Sequence, residues 1–175
     1  MQVVADTSAL VSLGVVLDRD PNPLEVVLDA HEVAIPERVL SEVEATARYD
    51  DPSGVAAGRV LDRRRQFAVQ GVALDETFPL DDGENAAVRL ANETGASQLL
   101  CDEFNRLALV HASLTTARLV TTPVLLVLLA RAGTVPASTA DLLLADIAEA
   151  RSWDGNAYVS RARATLERES ASSRG

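Results

Sequence analysis

The sequence predicts an α/β domain organised on a mainly parallel central sheet, and three observations carry that prediction. Short apolar runs of strand length recur along the chain: Val3-Val4-Ala5, Val33-Ala34-Ile35, Ser97-Gln98-Leu99-Leu100-Cys101 and Leu119-Val120-Thr121. Segments with helical apolar spacing lie between them. Turn chemistry, as in Asp18 to Pro23 and Asp50 to Gly54, separates the pieces. At 175 residues the chain is long enough for one domain with a proper core. We place that domain at residues 1–169, with 170–175 (Ser-Ala-Ser-Ser-Arg-Gly) as a disordered tail.

The elements follow in order. After the first strand, Thr7 or Ser8 is expected to cap a helix over Ala9 to Leu17. Leu24 to His31 is a second helix, with Pro23 in its first turn. Beyond the strand at 33–35, Val39, Leu40, Val43 and Ala47 have helical spacing and set Glu42 one turn in. A helix from Val55 to about Arg65 and a strand from Val69 to Leu74, weakened by Gly71, come next. Asp81-Asp82-Gly83-Glu84 opens the strongest helix, whose early acids suit the helix dipole and which Gly95 ends. The strand at 97–101 runs into Asp102-Glu103, and a helix over Asn105 to Ala112 follows. Thr122-Pro123 opens a helix that stops at Gly133, Ala140 to Ala150 is another, and Ala157 to Arg168 is the last.

Composition narrows the chemistry. The formal net charge is −10, and all 16 basic residues are arginine. That balance fits a protein adapted to concentrated salt, a halophile-like surface, and a high-GC genome would also favour arginine over lysine. Without lysine there is no P-loop and no Schiff-base mechanism. A single cysteine, Cys101, excludes an intrachain disulfide. With no signal peptide at the N-terminus and no apolar run long enough to span a bilayer, we expect a cytoplasmic protein without a membrane partner. The Leu-rich stretch from Val124 to Leu129 is apolar nearly all round, so it is either buried or part of a homodimer interface, and we expect the homodimer.

Four acids hold chemically suggestive positions. Asp6 ends the first strand, Glu42 lies early in a helix, Glu84 opens a helix, and Asp102 ends a later strand. If those two strands are neighbours, Asp6 and Asp102 project into one crevice at the carboxyl edge of the sheet. Converging carboxylates stay ionised only when a cation joins them, and oxygen ligands select Mg²⁺ or Mn²⁺. Such ions hold phosphate oxygens and activate a water for in-line attack.

The stretches Val3-Val4-Ala5-Asp6-Thr7-Ser8-Ala9-Leu10, Ile35-Pro36-Glu37-Arg38-Val39-Leu40-Ser41-Glu42-Val43, Asp82-Gly83-Glu84-Asn85-Ala86 through Ala91 and Leu99-Leu100-Cys101-Asp102-Glu103 together resemble a PIN domain. The resemblance covers about two-thirds of the chain, with each motif weak alone and the four in order specific. It implies a three-layer α/β/α fold and a Mg²⁺- or Mn²⁺-dependent ribonuclease of the kind that includes VapC toxins, with RNA as substrate and an antitoxin as a protein partner. The stretch after Asp102 is more similar to a little-characterised PIN subgroup. Carried over by position, Asp6, Glu42, Glu84 and Asp102 would be catalytic metal ligands and Ser8 would support Asp6. Glu103 or Asn105 would add an outer carboxylate or amide. Many members carry Thr or Ser where Cys101 stands, and a thiol is a poorer donor for orienting Asp102.

Phosphate contacts would fall to Arg106 and Arg38, or to Arg63-Arg64-Arg65, which reads better as a solvated helix end. A non-catalytic PIN-fold protein binding RNA or a protein is the alternative from another class. A phosphatase with Asp6 as nucleophile would want a second Asp where Ser8 stands. His31 and His111 read as surface or capping residues, Cys101 as a small buried hydrophobe, and Trp153 as a packing anchor for the C-terminal helices.

Overall fold

A computed structural model describes residues 1–172. Its five strands are β1 (Gln2–Ala5), β2 (Glu32–Pro36), β3 (Phe67–Gln70), β4 (Gln98–Leu100) and β5 (Arg118–Val120). They form one parallel sheet in the order β3-β2-β1-β4-β5. The chain first builds outward from β1 to β2 and β3, then crosses back to place β4 on the other side of β1. The reversal falls between β1 and β4, where an open α/β sheet leaves a crevice beyond its strand ends.

The helices are α1 (Thr7–Gly14), α2 (Pro23–Ala30), α3 (Glu37–Thr46), α4 (Pro52–Leu61), α5 (Asp82–Thr94), α6 (Leu107–Ser113), α7 (Thr122–Arg131), α8 (Ala137–Ala150) and α9 (Ala157–Ser172). Strand side chains alternate between two covered faces. Val3, Ala5, Val33, Ile35, Leu100 and Val120 pack with α1, α2, α3, α4 and α7. Val4, Ala34, Leu99 and Cys101 pack on the opposite face against α5 and α6. This is the three-layer α/β/α arrangement expected, and a third apolar cluster joins α7 to α8 and α9. Among the described residues no helix is long and apolar enough to cross a membrane.

Several expectations shift. Asp6 itself caps α1, so the helix starts at Thr7, ahead of the expected Ala9, and Ser8 lies inside its first turn. Helix α4 is capped by Asp51 and ends at Leu61, and a 3₁₀ turn at Arg64–Gln66 replaces its expected last turn. The edge strand β3 therefore starts two residues early, at Phe67, whose ring is buried while Val69 is exposed. The arginine triplet is a turn whose first two members pair with Glu25 and Glu44. Leu125, Leu126 and Val127 of α7 are buried inside the chain, so the apolar circumference of α7 is accounted for by the sheet, α8 and α9. Helix α9 runs to Ser172, so residues 170–172 are helical where a tail was expected, and 173–175 lie outside the described residues.

Helix α1, which fixes Asp6, is held close to α4 at Gly14. A Cβ there would stand 2.4 Å from the Ala56 carbonyl oxygen and 2.9 Å from Val60 Cγ2. Backbone cannot yield as a side chain can, so Gly14→Ala should force the helices apart at a cost of about 2 kcal/mol. Thermal unfolding is predicted to show Tm lowered by roughly 5 °C; an unchanged Tm would show that this contact is loose.

Candidate functional site

The site is assembled where β1 and β4 end. The Asp6 amide donates to the Leu100 carbonyl at 3.0 Å, which extends the β1–β4 pairing to the first acid. Asp6 Oδ1 then accepts the Ala9 amide at 3.0 Å and the Ser8 hydroxyl at 2.7 Å. The same Ser8 oxygen accepts the Asp102 amide at 2.8 Å. One hydroxyl therefore ties the acids of two neighbouring strand ends together. Asp102 is held from its other side by Thr122, which opens α7 beyond the end of β5. The Thr122 amide donates to Oδ1 at 2.7 Å and its hydroxyl to Oδ2 at 2.6 Å. Thr122 thus supplies the orienting donor that Cys101 was expected to lack.

Two helices bring further carboxylates over this edge. Glu84 sits at the third position of α5 and closes a capping box: its amide donates to Asp81 Oδ1 at 2.9 Å, and its Oε2 accepts the Asp81 amide at 3.2 Å. Arg106 Nη1 also reaches Oε2, at 3.1 Å, while Oε1 is buried without a hydrogen-bond partner. Glu42, from α3, accepts the Thr7 hydroxyl. It lies against Gly83, where a Cβ would fall 2.4 to 2.8 Å from its carboxyl group. A side chain at 83 would displace the Glu42 carboxyl group from its place beside the start of α5.

Asp6, Glu42, Glu84 and Glu103 line one cleft of about 540 Å³, together with Asp81 and Arg151. Asp102 does not line it, although at 5 % exposure it is no more buried than Asp6 at 3 %. Glu103, expected only as an outer addition, faces the cleft directly. Asn105 is exposed and takes no part in the lining, and Arg38 pairs with Asp82 outside the cleft. The parts that Thr7, Gly83, Thr122 and Arg151 play in the site escaped the sequence reading. Thr122 was legible in principle, because it follows a strand and precedes a helix as Asp6 does.

Burial dominates the electrostatics. Asp6 is pushed up to about 7 by loss of water, against the pull of the Ala9 amide, Ser8 and the Cys101 thiol, with Asp102 adding to the rise. Burial also raises Asp102, opposed chiefly by Thr122. Glu84 is raised by burial and by Asp81, and Glu103 by burial and by Glu84. Cys101 is pushed far above the usual thiol range by burial and by Asp6, so it stays protonated and unreactive.

Among the described residues no three acids already stand as ligands of one ion, because protein donors hold most of these carboxylates. The residues nevertheless fit a hard divalent cation. The donors are all oxygen, Glu84 Oε1 is buried without a partner, and acids that burial holds near neutrality gain most from a positive charge. A family profile described as a PIN domain matches residues 2–168. No curated protein matches the chain.

The raised Asp6 value has a stability consequence whose sign is fixed. Between pH 3.8 and about 7 the folded state holds a proton that the unfolded state has released, so ionising Asp6 progressively destabilises the fold as pH rises through that window. Asp6→Asn keeps an acceptor for Ser8 and Ala9 and removes the charge. With chelator present it should raise Tm at pH 8 by about 5 °C, and the gain should vanish towards pH 4. A variant less stable than the parent at pH 8 would contradict this picture.

Proposed function

The chain belongs to the PIN-domain family, a nuclease fold, and from that premise we propose that it is a metal-dependent endoribonuclease acting at the Asp6 cleft. The observation that carries the proposal is the convergence of Asp6, Glu42, Glu84 and Glu103 on one cleft, with Asp102 tied to Asp6 through Ser8 and a buried Glu84 oxygen left without a partner. Asp6, Glu42 and Glu84 would hold Mg²⁺ or Mn²⁺, and Asp102 adds negative potential at Asp6. When bound, the ion supplies Lewis-acid neutralisation of a phosphate and a water of lowered pKa.

The rest of the task falls to the chain itself. Ser8 and Thr122 hold the two strand-end carboxylates in fixed rotamers, and Thr7 does the same for Glu42. Glu103, whose proton affinity is raised by burial and by Glu84, is suited to accept the proton an attacking water sheds. Tyr49 lines the same cleft and is 67 % exposed, so its ring is available for a base to stack on. No lysine or histidine is required as a base, in keeping with the absence of both from the cleft lining. The finer proposal is the toxin of a toxin–antitoxin pair. A neighbouring gene for a small DNA-binding protein that binds this chain and silences cleavage would support it.

One observation favours a binding-only PIN-fold protein instead. Both oxygens of Asp102 are occupied by Thr122, and the acids do not yet surround a common point. Calorimetric titration with Mn²⁺ separates the readings, since a nuclease must bind the ion and the binding-only protein need not.

Cleavage itself is the direct test. Purified protein should cut single-stranded RNA with Mn²⁺ or Mg²⁺ and stop with chelator. Asp6→Asn should lower the rate by about a hundredfold or more while the fold is kept. Cleavage by the variant at the parent rate, with contaminating nuclease excluded, would refute the assignment.

A further inference from the structure

Any RNA that enters this cleft brings phosphates into a wall of carboxylates, so a cation on the chain itself is needed to hold them. The two arginines singled out from the sequence do not line the cleft and already have partners: Arg106 pairs with the cleft acid Glu84, and Arg38 with Asp82. Among the described residues, the cleft lining contains one basic side chain, Arg151. Its Nη1 donates to Ser53 Oγ at 3.2 Å, and its Nε is buried with no partner. No carboxylate of the described residues lies within ion-pair distance of it, although its charge lowers the proton affinity of both Asp102 and Glu103.

Arg151 is also held in place by local structure. It ends α8, and Ser152 turns the chain with a positive φ of 54°, the one non-glycine residue among those described to do so. The Trp153 amide then returns to the Ala148 carbonyl at 2.9 Å. The Trp153 ring meets Phe104 edge-on, with centroids 4.9 Å apart, and Phe104 in turn meets Tyr158 at 5.2 Å. Phe104 follows Asp102 and Glu103 on the same short loop. In a chain with only six aromatic residues, three of them pin the end of α8 to the loop that carries two site acids.

We propose that Arg151 is the phosphate-binding residue of the cleft, presented by the C-terminal helices to an RNA phosphate beside the Asp6–Glu84 carboxylates. This rests on the reading of the cleft as an RNA site. A planar guanidinium suits the role, because Arg151 has donors to spare for two phosphate oxygens. Its anchor on Ser53 uses one of them. The C-terminal helices then complete the site as well as cover α7.

The test compares Arg151→Gln, Arg151→Lys and a control, Arg161→Gln, which is exposed on α9. Binding of a fluorescent single-stranded oligoribonucleotide is measured against salt concentration in an Asp6→Asn background, so that it does not depend on cleavage. Loss of one phosphate contact lowers the slope of log K against log salt by about 0.7 to 1. We expect that loss in Arg151→Gln, with affinity reduced about tenfold and Tm unchanged, partial recovery in Arg151→Lys, and no change in Arg161→Gln. In the cleaving protein the same substitution should raise KM more than it lowers kcat. An Arg151→Gln protein with the parent slope and affinity overturns the proposal, as does a weakened one whose slope is unchanged and whose Tm has fallen. If RNA binds with the predicted slope difference but no variant cleaves, Arg151 stands and only the hydrolytic reading fails.

Discussion

Two carboxylates taken out of water at the ends of adjoining strands set the terms for the rest of this fold. Buried charge is costly, and an ionised pair of like sign is costlier still. The protein contains that cost with a small set of fixed donors. Ser8 gives its proton to Asp6 and accepts the amide of Asp102, and Thr122 closes on both Asp102 oxygens. These donors are themselves set by the sheet, because the β1–β4 register and the starts of α1 and α7 decide where each one stands. The site is a by-product of strand order as much as of side-chain chemistry. Reverse the crossover between β1 and β4 and the two acids would no longer share a crevice.

Much of this was legible in the residues. Strand-length apolar runs alternating with helical periods led to a parallel α/β sheet, whereas the neighbouring placement of β1 and β4 was only a condition in the sequence and is supplied by the structure. Capping chemistry marked the starts of α5 and α7, because Asp81 with Glu84, and Thr121 just ahead of Pro123, act on backbone within a turn of themselves. What local pattern could not show was partnership across the chain. Arg151 arrives through a C-terminal hairpin of helices whose apolar spacing says only that it packs somewhere. Asp102 looked equivalent to Asp6, yet Thr122 bonds both its oxygens and it does not line the cleft, where Glu103, the next residue, does. The start of β3 was misjudged because an edge strand with one ladder and a following glycine leaves little trace in the sequence.

The charge balance gains a physical meaning from the structure. Many of the arginines are engaged in ion pairs, including Arg59 with Asp18, Arg63 with Glu25, Arg131 with Glu169 and Arg163 with Asp141. Exposed pairs of this kind contribute little stability each. They leave the surface with a net charge of −10 and few cations to spare for a polyanion. An RNA site on such a protein would have to carry its own positive charge, from a divalent ion and from Arg151, the basic residue of the cleft lining among those described. In concentrated salt the Debye length is about 3 Å, so repulsion by the remaining surface would fade while contacts within the cleft persisted.

The central claim is that the Asp6 cleft is a divalent-cation site. Its most direct test is crystallography on Mn²⁺-soaked crystals, with anomalous scattering used to locate the metal. An anomalous peak is expected within the cleft, in contact with Asp6 and with Glu84 Oε1, and it should be lost in Asp6→Asn. A map with no peak in the cleft at millimolar Mn²⁺, or with manganese only at surface carboxylates elsewhere, would contradict it.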